Sequence, residues 1–183
     1  MIFKRKIYDK LCEWKKTSDG NSAVLIEGAR RIGKSTIAEE FAKNEYESYI
    51  LIDFTNAPKT VINLFDDISD INYIFLQLQL IYKKDLHERK SLIIFDEVQF
   101  CPKARQAIKH LVKDHRYDYL ETGSLISIKK NVKNILIPSE EKTIEMFPMD
   151  YEEFRWALKD YTTIPLLKKC FENRTSLGDE MNR

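Results

Sequence analysis

Apolar and polar residues alternate between two kinds of segment along the first 150 positions of the chain. Short and almost wholly apolar runs, bounded by polar or turn-forming residues, have the length and composition of buried β-strands. These runs are SAVLIEG (22–28), SYILIDF (48–54), SLIIFDE (91–97), YDYLETGS (117–124) and KTIEMFP (142–148). The segments between the first four carry apolar residues at helical spacing. Alternating strands and helices predict an α/β fold, with helices on both faces of a parallel sheet.

The predicted helices are marked by spacing and by their first residues. Residues 7–16 place Ile7, Leu11 and Trp14 on one face, and residues 35–46 consist mostly of good helix formers. Residues 69–86 begin with a good N-cap, and residues 101–115 have a proline at a suitable first helical position. After Phe147 the sequence predicts two helices, each with a stripe of apolar residues along one side.

Composition and charge narrow the classes of partner. The chain has 183 residues, 43% of them hydrophobic and 32% charged, which fits one globular domain or one domain with an appendage. A net charge of +1 provides no global basic field, so charge does not support a nucleic-acid partner, although a local basic patch is not excluded. The three cysteines form no CxxC pair, and a reducing cytoplasm is the expected location. No apolar run is long enough for a membrane span, and no membrane partner is expected.

The stretch EGARRIGKST (27–36) places two of the five glycines around two arginines and a lysine. It lies between a predicted strand and a predicted helix, which is the context that a phosphate-binding loop requires. The glycines let successive N–H groups point into one concavity, and the next helix adds its positive end. The residues predicted to bind nucleotide are Gly28, Ala29, Arg30, Arg31, Ile32, Gly33, Lys34, Ser35 and Thr36.

Three residues of this loop have predicted roles of their own. Lys34 is expected to reach the β- and γ-phosphates and to act in catalysis. Ser35 is expected to be a ligand of Mg²⁺, and Thr36 to hold the α-phosphate. The competing interpretation, a chance glycine turn before a helix, does not explain the strand–loop–helix context.

Two acids follow the apolar run at 92–95. Asp96 fits the carboxylate that holds the Mg²⁺ shell at the end of a neighbouring strand, and Glu97 fits the group that activates water for hydrolysis. Acids at a strand end can also simply cap the next helix. With a phosphate loop in the chain, the catalytic interpretation is favoured, because open α/β sheets bind ligands at the carboxyl ends of their strands.

The end of the next strand carries the hydroxyl groups of Thr122 and Ser124. Either hydroxyl could bind the γ-phosphate or the attacking water, and both are therefore candidate catalytic residues. A strand-to-helix turn with Ser124 as N-cap explains the same residues equally well. The sequence does not distinguish Thr122 from Ser124.

The motifs together resemble the AAA-like P-loop ATPases of bacteria and archaea. The resemblance is carried by the loop GARRIGKS (28–35), by IIFDEVQ (93–99), by TGS (122–124) and by MFPMDYEEFRWAL (146–158). It covers about residues 5–175 and implies a three-layer αβα sandwich whose parallel five-stranded sheet has the order 5-1-4-3-2. It also implies three parts: an N-terminal helix (1–20), a P-loop ATPase core (21–150) and the start of a truncated helical lid (151–183). The lid would lead into a C-terminal domain that this chain lacks, so residues after about 160 are expected to pack poorly.

The chain departs from AAA ring enzymes in one respect. Such rings usually supply an arginine in trans from just before the fifth strand, and no arginine lies between Arg116 and Arg155 here. This absence argues against a self-activating ring. Arg30 and Arg31 are candidates for action in cis.

These observations predict Mg²⁺-dependent ATP binding and slow ATP hydrolysis, in a nucleotide-dependent switch or regulator with a protein partner. Two alternatives stay open. A small-molecule P-loop kinase would need an acceptor pocket and an arginine-rich lid. A non-hydrolysing scaffold module would be expected to have lost some of the four residues Lys34, Ser35, Asp96 and Glu97, all of which are present.

Overall fold

The protein is described by a computed structural model that covers residues 3–124, 139–176 and 178. The strands are β1 (Ala23–Gly28), β2 (Ser48–Asp53), β3 (Ser91–Asp96), β4 (Asp118–Ser124) and β5 (Glu141–Met146). The helices are α1 (Lys6–Ser18), α2 (Lys34–Glu45), α3 (Lys59–Asn63), α4 (Ile71–Tyr82), α5 (Pro102–Asp114), α6 (Tyr151–Ala157) and α7 (Thr163–Glu172). A 3₁₀ helix, Val98–Phe100, separates β3 from α5.

The five strands form one parallel sheet in the order β2-β3-β4-β1-β5. Read from the other edge, this is the predicted order 5-1-4-3-2, and the prediction of the fold class is confirmed. Because β1 lies between β4 and β5, the phosphate loop that follows it emerges from the interior of the sheet rather than from an edge strand.

Two hydrophobic clusters lie on the two faces of the sheet. One joins the sheet to α4 and α5 through residues such as Phe75 and Ile108, and the other joins it to α1 and α2 through Leu11 and Phe41. The alternate residues of one strand divide between them: Ile93 belongs to the first cluster and Ile94 to the second. This alternation is the period of two that a strand buried on both faces requires. The molecule is therefore a three-layer αβα sandwich.

The parallel arrangement brings the carboxyl ends of the strands to one edge. Across the sheet, Asp53 pairs in register with Asp96, and Gly28 pairs with both Ser124 and Met146. All five strand ends are thus neighbours at the edge from which the phosphate loop leaves. Within the described part of the chain, no helix has the length and apolar character needed to cross a membrane.

Most predicted elements differ from the observed ones only at their ends, but α3 was not predicted. Only Val61 of its five residues is buried, so this single turn has no apolar period to reveal it. At the other end of the chain, Ile164 is the only buried residue of α7, and the side chain of Phe171 is 87% exposed. The last residues of the predicted lid, 179–183, lie outside the described residues.

Candidate functional site

The phosphate loop connects the buried strand β1 to the N-terminus of α2. Gly33 is the residue before the helix and has φ +95°, a conformation that favours glycine. Arg31 also has positive φ, at 63°. The loop therefore turns sharply twice before α2 begins, which directs the first N–H groups of the helix toward the edge of the sheet where the strands end.

Lys34 is the first residue of α2, and its side chain folds back over the loop. Its ammonium group donates hydrogen bonds to the carbonyl oxygens of Ala29 (2.9 Å) and Gly28 (3.4 Å), and the residue is only 4% exposed. Burial lowers the pKa of Lys34, an effect that the carboxylates of Glu97 and Asp96 oppose. The lysine thus presents a positive charge inside the loop, close to two acids.

Ser35 and Asp96 meet at the end of β3. The Ser35 hydroxyl donates to Oδ1 of Asp96 at 2.7 Å, and the same oxygen accepts a hydrogen bond from the buried hydroxyl of Thr122. Burial raises the pKa of Asp96, and the carboxylates of Glu97 and Asp53 raise it further, whereas the two hydroxyl hydrogen bonds oppose the rise. Three chain segments therefore converge on one carboxylate oxygen.

Glu97 follows Asp96 in an unusual backbone conformation, with φ 52°. Its N–H donates to the hydroxyl oxygen of Thr122 at 3.1 Å, and its Oε2 accepts a hydrogen bond from the side-chain amide of Gln99. A non-glycine residue with positive φ is strained and persists only where its surroundings fix it. Thr122 and Gln99 provide those contacts, and they hold the backbone and the carboxylate of Glu97.

Glycine is needed at position 28 because of close packing and not because of a turn. A Cβ at this position would lie 2.2 Å from the carbonyl oxygen of Met146 on β5 and 2.8 Å from Cδ1 of Ile32. Its close neighbours are thus the adjacent strand and the loop itself. Both glycines were predicted to allow the curl of the loop, but of the two only Gly33 has a positive φ.

A pocket of about 220 Å³ lies beside the loop, on the side of α2 and the N-terminal segment. Phe3, Ile37 and Met149 form its apolar wall, and Thr36 and Arg31 also line it. This pocket was not predicted, because its wall combines residues from the start of the chain, from α2 and from the segment after β5.

The remaining predicted residues differ in what surrounds them. Ala29, Arg30 and Arg31 are exposed, and neither arginine forms a salt bridge within the described residues. Ser124 is 4% exposed at the end of β4, next to Gly28 in register. Thr122 is fully buried and bonded to both acids, so the two hydroxyl groups that the sequence left equivalent have different surroundings.

Three residues near the site were missed by sequence reasoning. Gln99 lies within a motif that was recognised but had been given no role. Asp53 ends β2, and its position beside Asp96 follows only from the register of β2 and β3. Arg5 precedes α1, and its side chain donates to the carbonyl oxygen of Ile32 in the phosphate loop at 3.0 Å. No local pattern could have revealed Arg5, because its partners are distant in the sequence.

Comparison with protein families gives one match. A model of the AAA domain matches residues 20–155, which is more than half of the chain and includes the loop, both acids and Thr122. Among the curated proteins, none matches the chain.

Several solved structures are similar to the chain. The structure of C. elegans PCH-2 has a TM-score of 0.45 and 12% identity, over 90% of this chain and 46% of that one. The structure of Drosophila ORC bound to GC-rich DNA and Cdc6 has a TM-score of 0.48 and 10% identity, over 97% of this chain and 80% of that one. The Pyrococcus furiosus Hef helicase domain has a TM-score of 0.35 and 14% identity, over 79% of this chain and 40% of that one. The chain thus spans less than half the length of the PCH-2 chain. Likenesses this distant say nothing about the reaction of this protein.

Proposed function

The chain belongs to the AAA domain family, and from this premise we propose that it binds Mg·ATP at the phosphate loop and hydrolyses it slowly. Membership makes it a nucleotide-binding domain of the ATPase type. The observation that carries the finer proposal is the contact of 2.7 Å between Oγ of Ser35 and Oδ1 of Asp96, beside the buried Lys34. The two residues are 61 positions apart. Their meeting next to a buried cation supplies the groups that a bound triphosphate and its metal require.

The donor set fits the proposed ligands. A serine hydroxyl and a carboxylate are hard oxygen ligands of the kind that Mg²⁺ prefers. In this protein the two groups are already in contact with each other. Lys34 donates to two loop carbonyls and could exchange these bonds for phosphate oxygens without leaving its donors unpaired. When bound, Mg²⁺ would neutralise charge on the phosphates. The apolar pocket lined by Phe3, Ile37 and Met149 fits the base of the nucleotide.

The two acids have separate roles in this proposal. Asp96, whose pKa is raised by burial, holds the metal together with Ser35. Glu97 accepts the proton of the attacking water, and its orientation depends on Thr122 and Gln99. We assign Thr122 a positioning role, because its hydroxyl already donates to Asp96 and accepts from the Glu97 N–H. In this proposal Thr122 orients the two acids and does not itself contact the γ-phosphate.

We further propose that the ATP cycle serves as a switch for a protein partner. No arginine lies between Arg116 and Arg155, so the chain lacks the arginine that AAA rings place before the fifth strand. Without that charge the γ-phosphoryl transition state is stabilised less, and hydrolysis is slow. A partner that supplies a cation would accelerate it.

Conservative variants of the two acids test this proposal. Glu97→Gln keeps the shape of the side chain and removes the base, so Mg·ATP binding should persist while turnover falls by about 10²-fold or more. Asp96→Asn should weaken Mg²⁺-dependent binding itself. Calorimetry and phosphate release measure the two effects.

Glu47→Gln is the matched control, since it makes the same chemical change at an exposed acid paired with Lys90. It should alter neither binding nor turnover. If Glu97→Gln turned over ATP as fast as the wild type, another group would activate water and the assignment of Glu97 would be wrong.

A further inference from the structure

Arg5 is a buried cation that connects three segments of the chain. It is 7% exposed and lies just before α1. Its Nη1 donates to the carbonyl oxygen of Ile32 at 3.0 Å, and its Nη2 donates to the carbonyl oxygen of Phe147 at 2.6 Å. Its Nε lies 3.2 Å from Oε1 of Glu153 on α6. One guanidinium group therefore contacts the phosphate loop, the end of β5 and α6.

The acid that pairs with Arg5 also forms the beginning of α6. Oε1 of Glu153 accepts the backbone N–H of Lys6 at 2.7 Å, and Oε2 accepts that of Asp150 at 3.2 Å. In return, Asp150 accepts the N–H of Glu153, which completes a capping box at the N-terminus of α6. Arg5, the start of α1 and the first turn of α6 thus form one polar network.

An arginine is required for this arrangement. Its planar fork offers five donors and reaches two carbonyl oxygens and a carboxylate at once, which the single ammonium group of lysine cannot do in the same geometry. Burying a guanidinium group is costly unless it is paired and hydrogen-bonded. Nη1 and Nη2 are hydrogen-bonded and Glu153 supplies the opposite charge, whereas the Nε–H has no hydrogen-bond partner among the described residues. These contacts exist only while the loop, the end of β5 and α6 all stay in place.

The contact with Ile32 bears directly on phosphate binding. The carbonyl of Ile32 and the N–H of Gly33 belong to one planar trans peptide unit, so the two groups point in opposite directions. By holding the carbonyl oxygen, Arg5 sets the direction in which the Gly33 N–H points. Gly33 also has φ +95°, a backbone with freedom to rotate if nothing restrained it.

We propose that Arg5 is a positioning residue that links the phosphate loop to α6, so that nucleotide binding and the attachment of α6 strengthen each other. This inference rests on the proposed binding of Mg·ATP at the loop. A bound triphosphate fixes the loop in the conformation that Arg5 contacts. The entropy cost of ordering Arg5 for its pair with Glu153 is then smaller. Coupling of this kind is reciprocal, so a partner that displaces α6 lowers the affinity for nucleotide by the same factor.

Variants at both ends of the network test the link. Arg5→Gln removes the charge and the fork, Arg5→Lys keeps only the charge, and Glu153→Gln removes the partner charge on α6. Lys90→Gln is the control, because it removes a surface cation that pairs with Glu47 and contacts neither the loop nor α6. The measurements are Mg·ATP affinity by calorimetry and rapid hydrogen exchange at residues 29–35 and 154–158, with and without a non-hydrolysable ATP analogue.

In the wild type, the analogue should slow exchange at residues 154–158. All three network variants should weaken Mg·ATP binding by at least about 5-fold, the lower end of typical allosteric coupling. They should also abolish the effect of the analogue on α6, and Glu153→Gln should speed exchange in the loop even without nucleotide. Lys90→Gln should behave as the wild type.

The possible failures separate the two proposals. If the wild type binds Mg·ATP but the variants at Arg5 and Glu153 keep both their affinity and the protection of α6, the coupling is wrong and the proposed function stands. If the wild type does not bind Mg·ATP, both proposals fail. If one of the Arg5 variants does not fold, Glu153→Gln decides the question alone, because the arginine is intact in it.

Discussion

Two buried glutamates on neighbouring parts of the sheet have opposite surroundings. Glu121 is fully buried in β4, and neither of its carboxylate oxygens has a hydrogen-bond donor among the described residues. Glu141, across β1, accepts two hydrogen bonds from Arg105, at 2.8 and 3.1 Å. Burial raises the pKa of Glu121 well above its ordinary value, Glu141 raises it further, and Arg105 opposes the rise. The surroundings of Glu121 thus favour its neutral form, whereas Glu141 is paired with Arg105.

Substituting these residues should change stability in opposite directions. Because the pKa of Glu121 is higher in the folded than in the unfolded protein, the contribution of Glu121 to stability falls as the pH rises above the unfolded value of about 4.3. Glu121→Gln cannot ionise, so its free energy of unfolding should exceed that of the wild type by an amount that grows with pH. Glu141→Gln leaves Arg105 buried without its partner and should cost about 3–5 kcal/mol.

Urea unfolding of the three proteins between pH 5 and pH 8 measures both effects. The difference between Glu121→Gln and the wild type should be small at pH 5 and largest at pH 8. A difference that does not change with pH would mean that Glu121 is not the group that titrates.

At the scale of elements, the two glycines of the phosphate loop should respond differently to alanine. At Gly28 a Cβ would collide with the backbone of β5, 2.2 Å away, and relief requires a shift of that strand. At Gly33 the nearest atom would be 3.9 Å away, and only the positive φ opposes alanine. Gly33→Ala should cost about 1–2 kcal/mol, as a left-handed backbone does.

Gly28→Ala should cost more than Gly33→Ala and should disturb the contact between β1 and β5. Thermal unfolding and hydrogen exchange at residues 141–146 measure these changes. Equal stability of the two variants, with β5 unaffected, would show that the approach of Met146 to Gly28 does not constrain the sheet.

The strands could be predicted because each is a nearly unbroken apolar run, as burial on both faces of a parallel sheet requires. The positions of the element ends were predicted less accurately, because a cap depends on a single side chain. For example, α4 begins after Asp70, whose side chain accepts the N–H of Tyr73. The short helix α3 could not be found from a period, because one turn is too short to show one.

The same limits apply to the candidate site. Ser35 and Asp96 could be expected to meet, because Asp96 ends one parallel strand and Ser35 lies in the segment that follows another. Thr122 could be placed near them for the same reason, but its bonds to both acids could not be foreseen. The contacts of Arg5 depend on the packing of three segments far apart in the sequence, and no pattern of one segment encodes them.

At the scale of the whole molecule, turnover should be slow and independent of protein concentration. No arginine between Arg116 and Arg155 is available to act on a neighbouring copy from the usual position. Arginines that act in this way are worth about 10³–10⁵ in rate. Phosphate release measured over a 100-fold range of protein concentration checks this expectation. A steep rise of specific activity with concentration would indicate assembly and a cation supplied by a second copy.

The central claim is that Mg·ATP binds at the loop through Lys34. Calorimetric titration of the wild type, Lys34→Ala and Lys43→Ala with Mg·ATP tests it most directly. Lys43 is the matched control, because it lies on the same helix, is exposed and pairs with Glu39 at the surface. The wild type and Lys43→Ala should bind with equal affinity, and Lys34→Ala should show no binding, because the loop loses the buried cation that faces the phosphates. Unchanged affinity in Lys34→Ala would contradict the account.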